Sequence, residues 1–347
     1  MTHSGPWMPS DAAETSDVVG EARVSLVVLG GAGASTRWAE RVGAELDAQL
    51  TAEDAAGRTP VVLWLGGTSL PRYPNRRHPE CPVPDTAAER AGVADIEAAV
   101  RRHVARGHAS YAVPGVAEWA CGTAESMVQA RADAGGNPWQ MPEHHFIVRV
   151  GTDGSTTVVS RCSGEPVQCH IDTAPAHESL VDLVIVDLAP WVAPPVSAAD
   201  RAAKDRQVAR LDALLAALRT TEDAAAVPRI LVSSVPVEAA GYTGMGGGGA
   251  SAAYHYLPPS LQSAVGDGLF AGSIGAHDRA VYATPDITSG VRRSSRAWLS
   301  SPVFQIVSGS ASLPDARPGA GARRIRYFRS DSYVAEAYSD RAGFAVV

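Results

Sequence analysis

Val24-Ser-Leu-Val-Val-Leu-Gly-Gly-Ala-Gly33 is the stretch on which the fold turns. A short apolar run closed by glycines and followed by a helical pattern reads as a buried parallel strand feeding a helix. The helix is expected from about Thr36 to Thr51, with Trp38, Val42, Leu46 and Leu50 at four-residue spacing. The unit then repeats. Pro60-Val-Val-Leu-Trp-Leu65 ends in Gly66-Gly67, a Pro-rich loop runs from Pro71 to Pro84, and an Ala-rich helix covers about Thr86 to Arg106. A third strand, Ala109-Ser-Tyr-Ala-Val113, ends at Pro114-Gly115.

Further along, Phe146 to Ile171 alternates apolar and polar residues around Gly151-Thr-Asp-Gly154, a hairpin signal. Leu180 to Val186 is another strand, Ala198 to Leu218 a helix, and Ile230-Leu-Val-Ser233 a strand opening into a glycine-rich loop, Gly241 to Gly249. Arg279 to Ala283, Val303 to Val307 and Ile325 to Ser330 read as late strands. This alternation argues for a layered α/β chain with two sheets. No repeat of solenoid period and no linker is visible, so residues 24–347 are expected to form one domain behind a disordered leader at 1–23.

Composition narrows the function classes. At 347 residues, 45% hydrophobic and 19% charged, the chain has the make-up of a globular protein. A net charge of −7 excludes a non-specific nucleic-acid binder, and the short basic clusters Arg101-Arg102 and Arg323 to Arg326 read as solvated surface. No apolar run is long enough to span a bilayer, and no secretory h-region stands at the start, so the cytoplasm is the default location. Four cysteines are too few for a disulfide scaffold; Cys162 and Cys169 lack CxxC spacing, and a loop disulfide between them would go with export by another route.

Ligands of α/β folds gather beyond the carboxyl ends of strands, so the strand-end motifs matter most. Leu29-Gly-Gly-Ala-Gly33, Leu65-Gly-Gly-Thr-Ser-Leu-Pro71, Tyr111-Ala-Val-Pro-Gly-Val-Ala-Glu-Trp119, Val184-Ile-Val-Asp-Leu-Ala-Pro-Trp191, Val232-Ser-Ser-Val-Pro236, Tyr282-Ala-Thr-Pro-Asp-Ile287 and Phe304-Gln-Ile-Val-Ser-Gly309 follow one another in order. Together they resemble the motif set of the calcineurin-like metallophosphoesterases, purple-acid-phosphatase-like branch, over residues 24 to 312. The resemblance implies a two-sheet metallophosphoesterase-like α/β sandwich flanked by helices.

It also implies a loss. The family holds two metal ions roughly 3.5–4 Å apart to activate water for attack on phosphorus, and this needs carboxylate, amide and imidazole donors. Carried over residue by residue, the first-motif Asp falls on Gly31 and the bridging Asp on Gly67. The second-motif Tyr falls on Leu70, the Asn on Val116, the His of the His-His-Pro motif on Ser234, and the last two His on Pro285 and Ile287. The third motif's His and Asp fall on Ala117 and Glu118. Only Ser234 offers a donor among the metal slots, and a poor one. The framework residues Gly30, Gly33, Gly66, Pro114, Gly115, Trp119 and Pro236 stand where the family has them.

The expectation is therefore a pseudoenzyme with no catalytic residue, no metal and no cofactor, acting through an unknown protein partner or self-association, with Trp119 and Asp286 as cleft residues. Trp119 and Trp191 read first as core, and Glu118 and Asp286, which could line the old cleft, read first as surface or hydrogen-bonded residues. Two alternatives stand beside it. One is a phosphate-ester hydrolase with a relocated or mononuclear site near His144, His145, His277 or Asp278; the other is a small-ligand binder using the vacated cleft. The His144-His145 pair reads first as a strand entry. Ser233, Ser234 and Ser308 lack a G-x-S-x-G elbow, no Walker lysine follows Gly67, and Gly30 to Gly33 is an incomplete dinucleotide fingerprint.

Overall fold

Alternate residues of the first strand face opposite ways into two apolar cores. Leu26 and Val28 of β1 (Val24–Gly30) point to one side, and Val27 and Leu29 to the other. Burial on both faces is why the strand reads as a continuous apolar run. The computed structural model describes residues 24–30, 36–66, 87–120, 124–125, 128–129, 138–173, 178–192, 198–221, 227–237, 257–276, 281–284, 304–308, 337–339 and 344–346.

After β1 come α1 (Thr36–Ala55), β2 (Thr59–Leu65), α2 (Ala87–Ala105), β3 (Ser110–Val113) and α3 (Val116–Ala120). β1, β2 and β3 are parallel, and a late strand, β14 (Phe344–Val346), joins antiparallel on the outer side of β1, giving the order β14-β1-β2-β3. Val42, Leu46 and Leu50 of α1 and Ile96, Ala99 and Val100 of α2 cover one face of this sheet, over Val27, Leu29, Val62 and Trp64. Each such aliphatic side chain contributes about 1.5–3 kcal/mol on full burial.

The second sheet is built from β4 (His145–Gly151), β5 (Thr156–Val158), β8 (Ser179–Val186), β9 (Arg229–Ser233), β10 (Gly272–Gly275), β11 (Val281–Thr284), β12 (Phe304–Val307) and β13 (Ala337–Ser339). Its order is β13-β11-β12-β10-β9-β8-β4-β5, with β8, β9, β10 and β12 parallel at its centre. One face meets the first sheet through Phe146, Val148, Leu183, Ile185, Val232 and Ile274. The other is covered by α5 (Ala198–Thr220), through Leu211, Leu214, Leu215 and Leu218, and by α6 (Pro259–Gly266). A one-turn helix, α4 (Ala189–Val192), follows β8. The architecture is a two-sheet α/β sandwich flanked by helices, the fold class that the sequence pattern predicts.

Differences from the sequence reading are local. α1 runs four residues beyond Thr51, to Ala55. The short strands β6 (Ser160–Ser163) and β7 (Gln168–Ile171) form a separate hairpin in which Cys162 and Cys169 face each other and are disulfide-bonded. Such bonds persist in oxidising compartments. Among the described residues no helix is long and apolar enough to cross a membrane. Arg101 and Arg102 are exposed, as read. The glycine-rich loop at 241–249, the strand expected at 325–330 and Arg323 to Arg326 lie outside the described residues.

Candidate functional site

The motif residues at the ends of β2, β3 and β9 converge. Gly66, with φ of +75°, lies so close to Gly115 that a Cβ on Gly66 would sit 2.6 Å from the Gly115 Cα and 3.5 Å from the Cβ of Ser234. Only glycine meets both demands, a left-handed backbone and a bare Cα at a backbone contact. Ser234 is buried and its Oγ has no hydrogen-bond partner; Ser233 beside it donates to the Val235 carbonyl at 2.5 Å. Val116 is half-buried and packs among apolar residues. Glu118 is fully buried and its carboxylate accepts the Gly115 amide hydrogen at 2.9 Å, closing the turn into α3. Ala117 lies in α3. Gly31, Gly67, Leu70, Pro285, Asp286, Ile287, His277 and Asp278 lie outside the described residues.

Beside this junction sits a cluster of buried polar side chains. Asp187, at the end of β8, has no exposed surface. Its Oδ2 accepts from Trp119 Nε1–H at 2.7 Å and from His144 Nδ1–H at 2.8 Å, and its Oδ1 from the Ala189 amide at 3.1 Å. Burial pushes the Asp187 carboxyl up, and the three donors and the His144 charge oppose that by favouring the ionised acceptor. His144 Nε2 points toward Glu125, whose Oε2 is 3.8 Å away, and Glu125 Oε1 accepts from Gln207 Nε2 at 3.2 Å. Arg206 Nη2 lies 3.7 Å from the same Oε1. The Trp119 ring lies 5.4 Å from the His144 ring.

The electrostatics follow from these neighbours. Burial works against a charged His144, but Asp187 and Glu125 together outweigh it and raise the imidazole to about 9. His144 in turn holds Glu125 down to about 2. His145, the next residue, is pushed to about 3 by burial and by the charge of His144. Its Nδ1 accepts the Asp187 amide hydrogen at 3.3 Å and its Nε2–H donates to the Gln207 carbonyl at 3.2 Å, as a neutral ring does. Adjacent histidines thus carry opposite charge states.

No protein-family model and no curated protein matches the chain. Among solved structures it is similar to the purple acid phosphatase PPD1 from yellow lupin (Lupinus luteus) seeds, with 8% identity and a TM-score of 0.48 over 93% of this chain and 48% of that one. The chain thus spans about half the length of that phosphatase.

The residues at the seven positions that the motif resemblance would assign to metal binding do not supply the donors of a dinuclear centre. Of the seven, Gly31, Gly67, Leu70, Val116, Pro285 and Ile287 carry no side-chain donor, and Ser234 offers one buried hydroxyl. Among the described residues no group of three or more His, Cys, Asp or Glu side chains is placed to hold a metal ion. Two cavities of about 460 and 450 Å3 lie elsewhere, one beside Cys169 and Thr220 and the other between Arg149 and Glu178, and neither is lined by a slot residue.

The sequence singled out Glu118, Trp119, His144, His145 and Ser234, and the fold brings the first four into or beside the Asp187 cluster. Trp119 is buried, as read; Trp191 is partly buried, its ring 6.2 Å from His145. Asp187 had been quoted only as a strand end. Glu125, Arg206 and Gln207 were missed.

Proposed function

We propose that this chain is a catalytically inactive relative of the metallophosphoesterases, working by protein binding as a regulatory or structural subunit. The observation that carries the reading is the junction of Gly66, Gly115 and Ser234. Among the described residues the ends of β2, β3 and β9 come together, and their contact is between backbone atoms and the Ser234 side chain. A strand-end junction without metal donors suits a surface that recognises a partner better than a site that activates water. The relocated-site alternative finds little support at His144 and His145. His144 is held as an imidazolium, which has no lone pair to give, and both nitrogens of His145 are engaged. Residence in the cytoplasm stands against the Cys162–Cys169 bond, and the oxidation state of that pair in cells decides the compartment.

The test is elemental analysis of protein purified after growth with added iron, zinc and manganese, alongside hydrolysis assays on phosphomonoesters and diesters. Well under one equivalent of metal and hydrolysis no greater than a mock purification are expected. Two tightly held metals per chain would sink the reading.

A further inference from the structure

Glu125 lies where three donors from two elements converge. His144, just before β4, aims Nε2–H at its Oε2 from 3.8 Å; Gln207 Nε2–H and Arg206 Nη2, both from α5, approach its Oε1 at 3.2 and 3.7 Å. The His144 distance is too long for a hydrogen bond and too short for a bridging water. His144 is 2% exposed, and its Nε2 has no hydrogen-bond partner; the Gln207 Oε1 is also buried and unpartnered. By contrast the Glu125 side chain is 45% exposed. A buried cationic donor is thus covered, but not satisfied, by a carboxylate that can swing into water.

We propose that this is a carboxylate-binding site which the chain's own Glu125 plugs, and that an acidic side chain of a partner displaces it. The inference rests on the partner-binding reading only in taking the incoming carboxylate from a protein. Charge supports the class of ligand. With Glu125 withdrawn, His144 keeps Asp187 while Arg206 loses its carboxylate, so the opened site is left one positive charge in excess. Among the described residues the other charged groups nearby do not alter this: Glu143 is paired with Arg210 at 3.6 Å, and His145 is neutral. The donors surround a planar two-oxygen group, and a free ligand must compete with a tethered copy of itself, a matter of effective concentration.

Glu125→Ala in the full chain opens the site. Acetate should then shift the His144 side-chain resonances saturably, binding at least about tenfold tighter than to the unaltered chain, and Arg206→Ala added to Glu125→Ala should remove most of that gain. Inorganic phosphate, run in parallel, should bind more weakly than acetate. Phosphate binding without acetate binding overturns the carboxylate assignment. No saturable shift with either anion, in a variant that melts cooperatively, overturns the site and leaves the partner reading untouched. Saturable acetate binding supports the site even if no protein partner is captured. Should Glu125→Ala fail to fold, Glu125→Gln keeps the size without the charge and should bind acetate more tightly than the unaltered chain; equal binding overturns the proposal. Loss of the fold in both variants overturns it too, because a displaceable plug cannot be essential to the fold.

Discussion

His103, near the end of α2, and His144, at the entry to β4, are both hidden from water, yet one is neutral and the other charged. No side chain hydrogen-bonds to His103, whose ring has the Ala109 backbone beside it and stacks on His108 at 4.7 Å. Burial, joined by the charges of its neighbours, drives it down to about 4, so it is neutral. Asp54, the nearby carboxylate, is taken by Arg106 at 2.7 Å and His108 at 2.8 Å. His144 instead meets Asp187, a carboxylate with no other cation against it among the described residues, on Nδ1, with Glu125 beyond Nε2, and is charged. Burial therefore does not decide whether an imidazole ionises in this protein; a dedicated buried carboxylate does. One region uses its histidine as a packing ring, the other as a fixed cation.

The sharpest way to break that contrast is to remove the two carboxylates in turn. Asp187→Ala should cost about 3–5 kcal/mol, because it strands the His144 charge and the Trp119 N–H in the interior. Asp54→Ala, whose partners are partly exposed, should cost no more than about 1 kcal/mol. Equal losses in chemical denaturation would show that the two clusters are alike after all.

Titration comes next in size. His144 has a folded value above the ordinary 6.5, so its contribution is complete below about 6.5 and is lost as pH rises through about 9. That loss amounts to about 3 kcal/mol. His103 and His145 are depressed, so their contribution is complete above about 6.5 and is lost as pH falls through about 4 and about 3 respectively. Unfolding free energy measured against pH should fall on both sides. In His144→Gln the alkaline fall should vanish and the acid fall should stay; an unchanged alkaline limb would mean that some other group produces it.

The smallest effect sharpens the comparison from the other side. His103→Leu replaces a buried ring that no side chain hydrogen-bonds with an apolar side chain, and should stabilise the protein by about 1 kcal/mol while softening the acid fall. A loss of stability would reveal a partner for the ring.

The sheets were legible because β1, β2, β8 and β9 are buried on both faces and stop at glycine, serine or aspartate, a signal that needs only neighbouring residues. The hairpin β6–β7 and the three-residue strands β13 and β14 were not legible, since so short a run shows no period. At the site, Glu118, Trp119 and Ser234 could be named because the motif order placed them. The partnership of His144 with Asp187 could not, for the two are 43 residues apart. It follows from register: His145 lies opposite Val186 on the antiparallel pair, which brings the next residue out on each strand together, and the Asp187 amide donates to the His144 carbonyl at 3.0 Å. Pairing β4 with β8 from sequence would have exposed it. Glu125 and Gln207 leave no such trace, because their meeting depends on how α5 rolls against the sheet.

The late strand β14 has a bearing on how this chain is made. Val27 to Leu29 pair with Phe344 to Val346, so the outer edge of β1 is completed by residues synthesised roughly 300 positions later, a wait of tens of seconds at ordinary translation rates. Throughout that interval a flat, apolar strand presents open hydrogen-bonding groups, the kind of edge that recruits other chains. The nascent protein is therefore most in need of a chaperone at its first strand, and a ribosome that stalls late leaves behind the most aggregation-prone product.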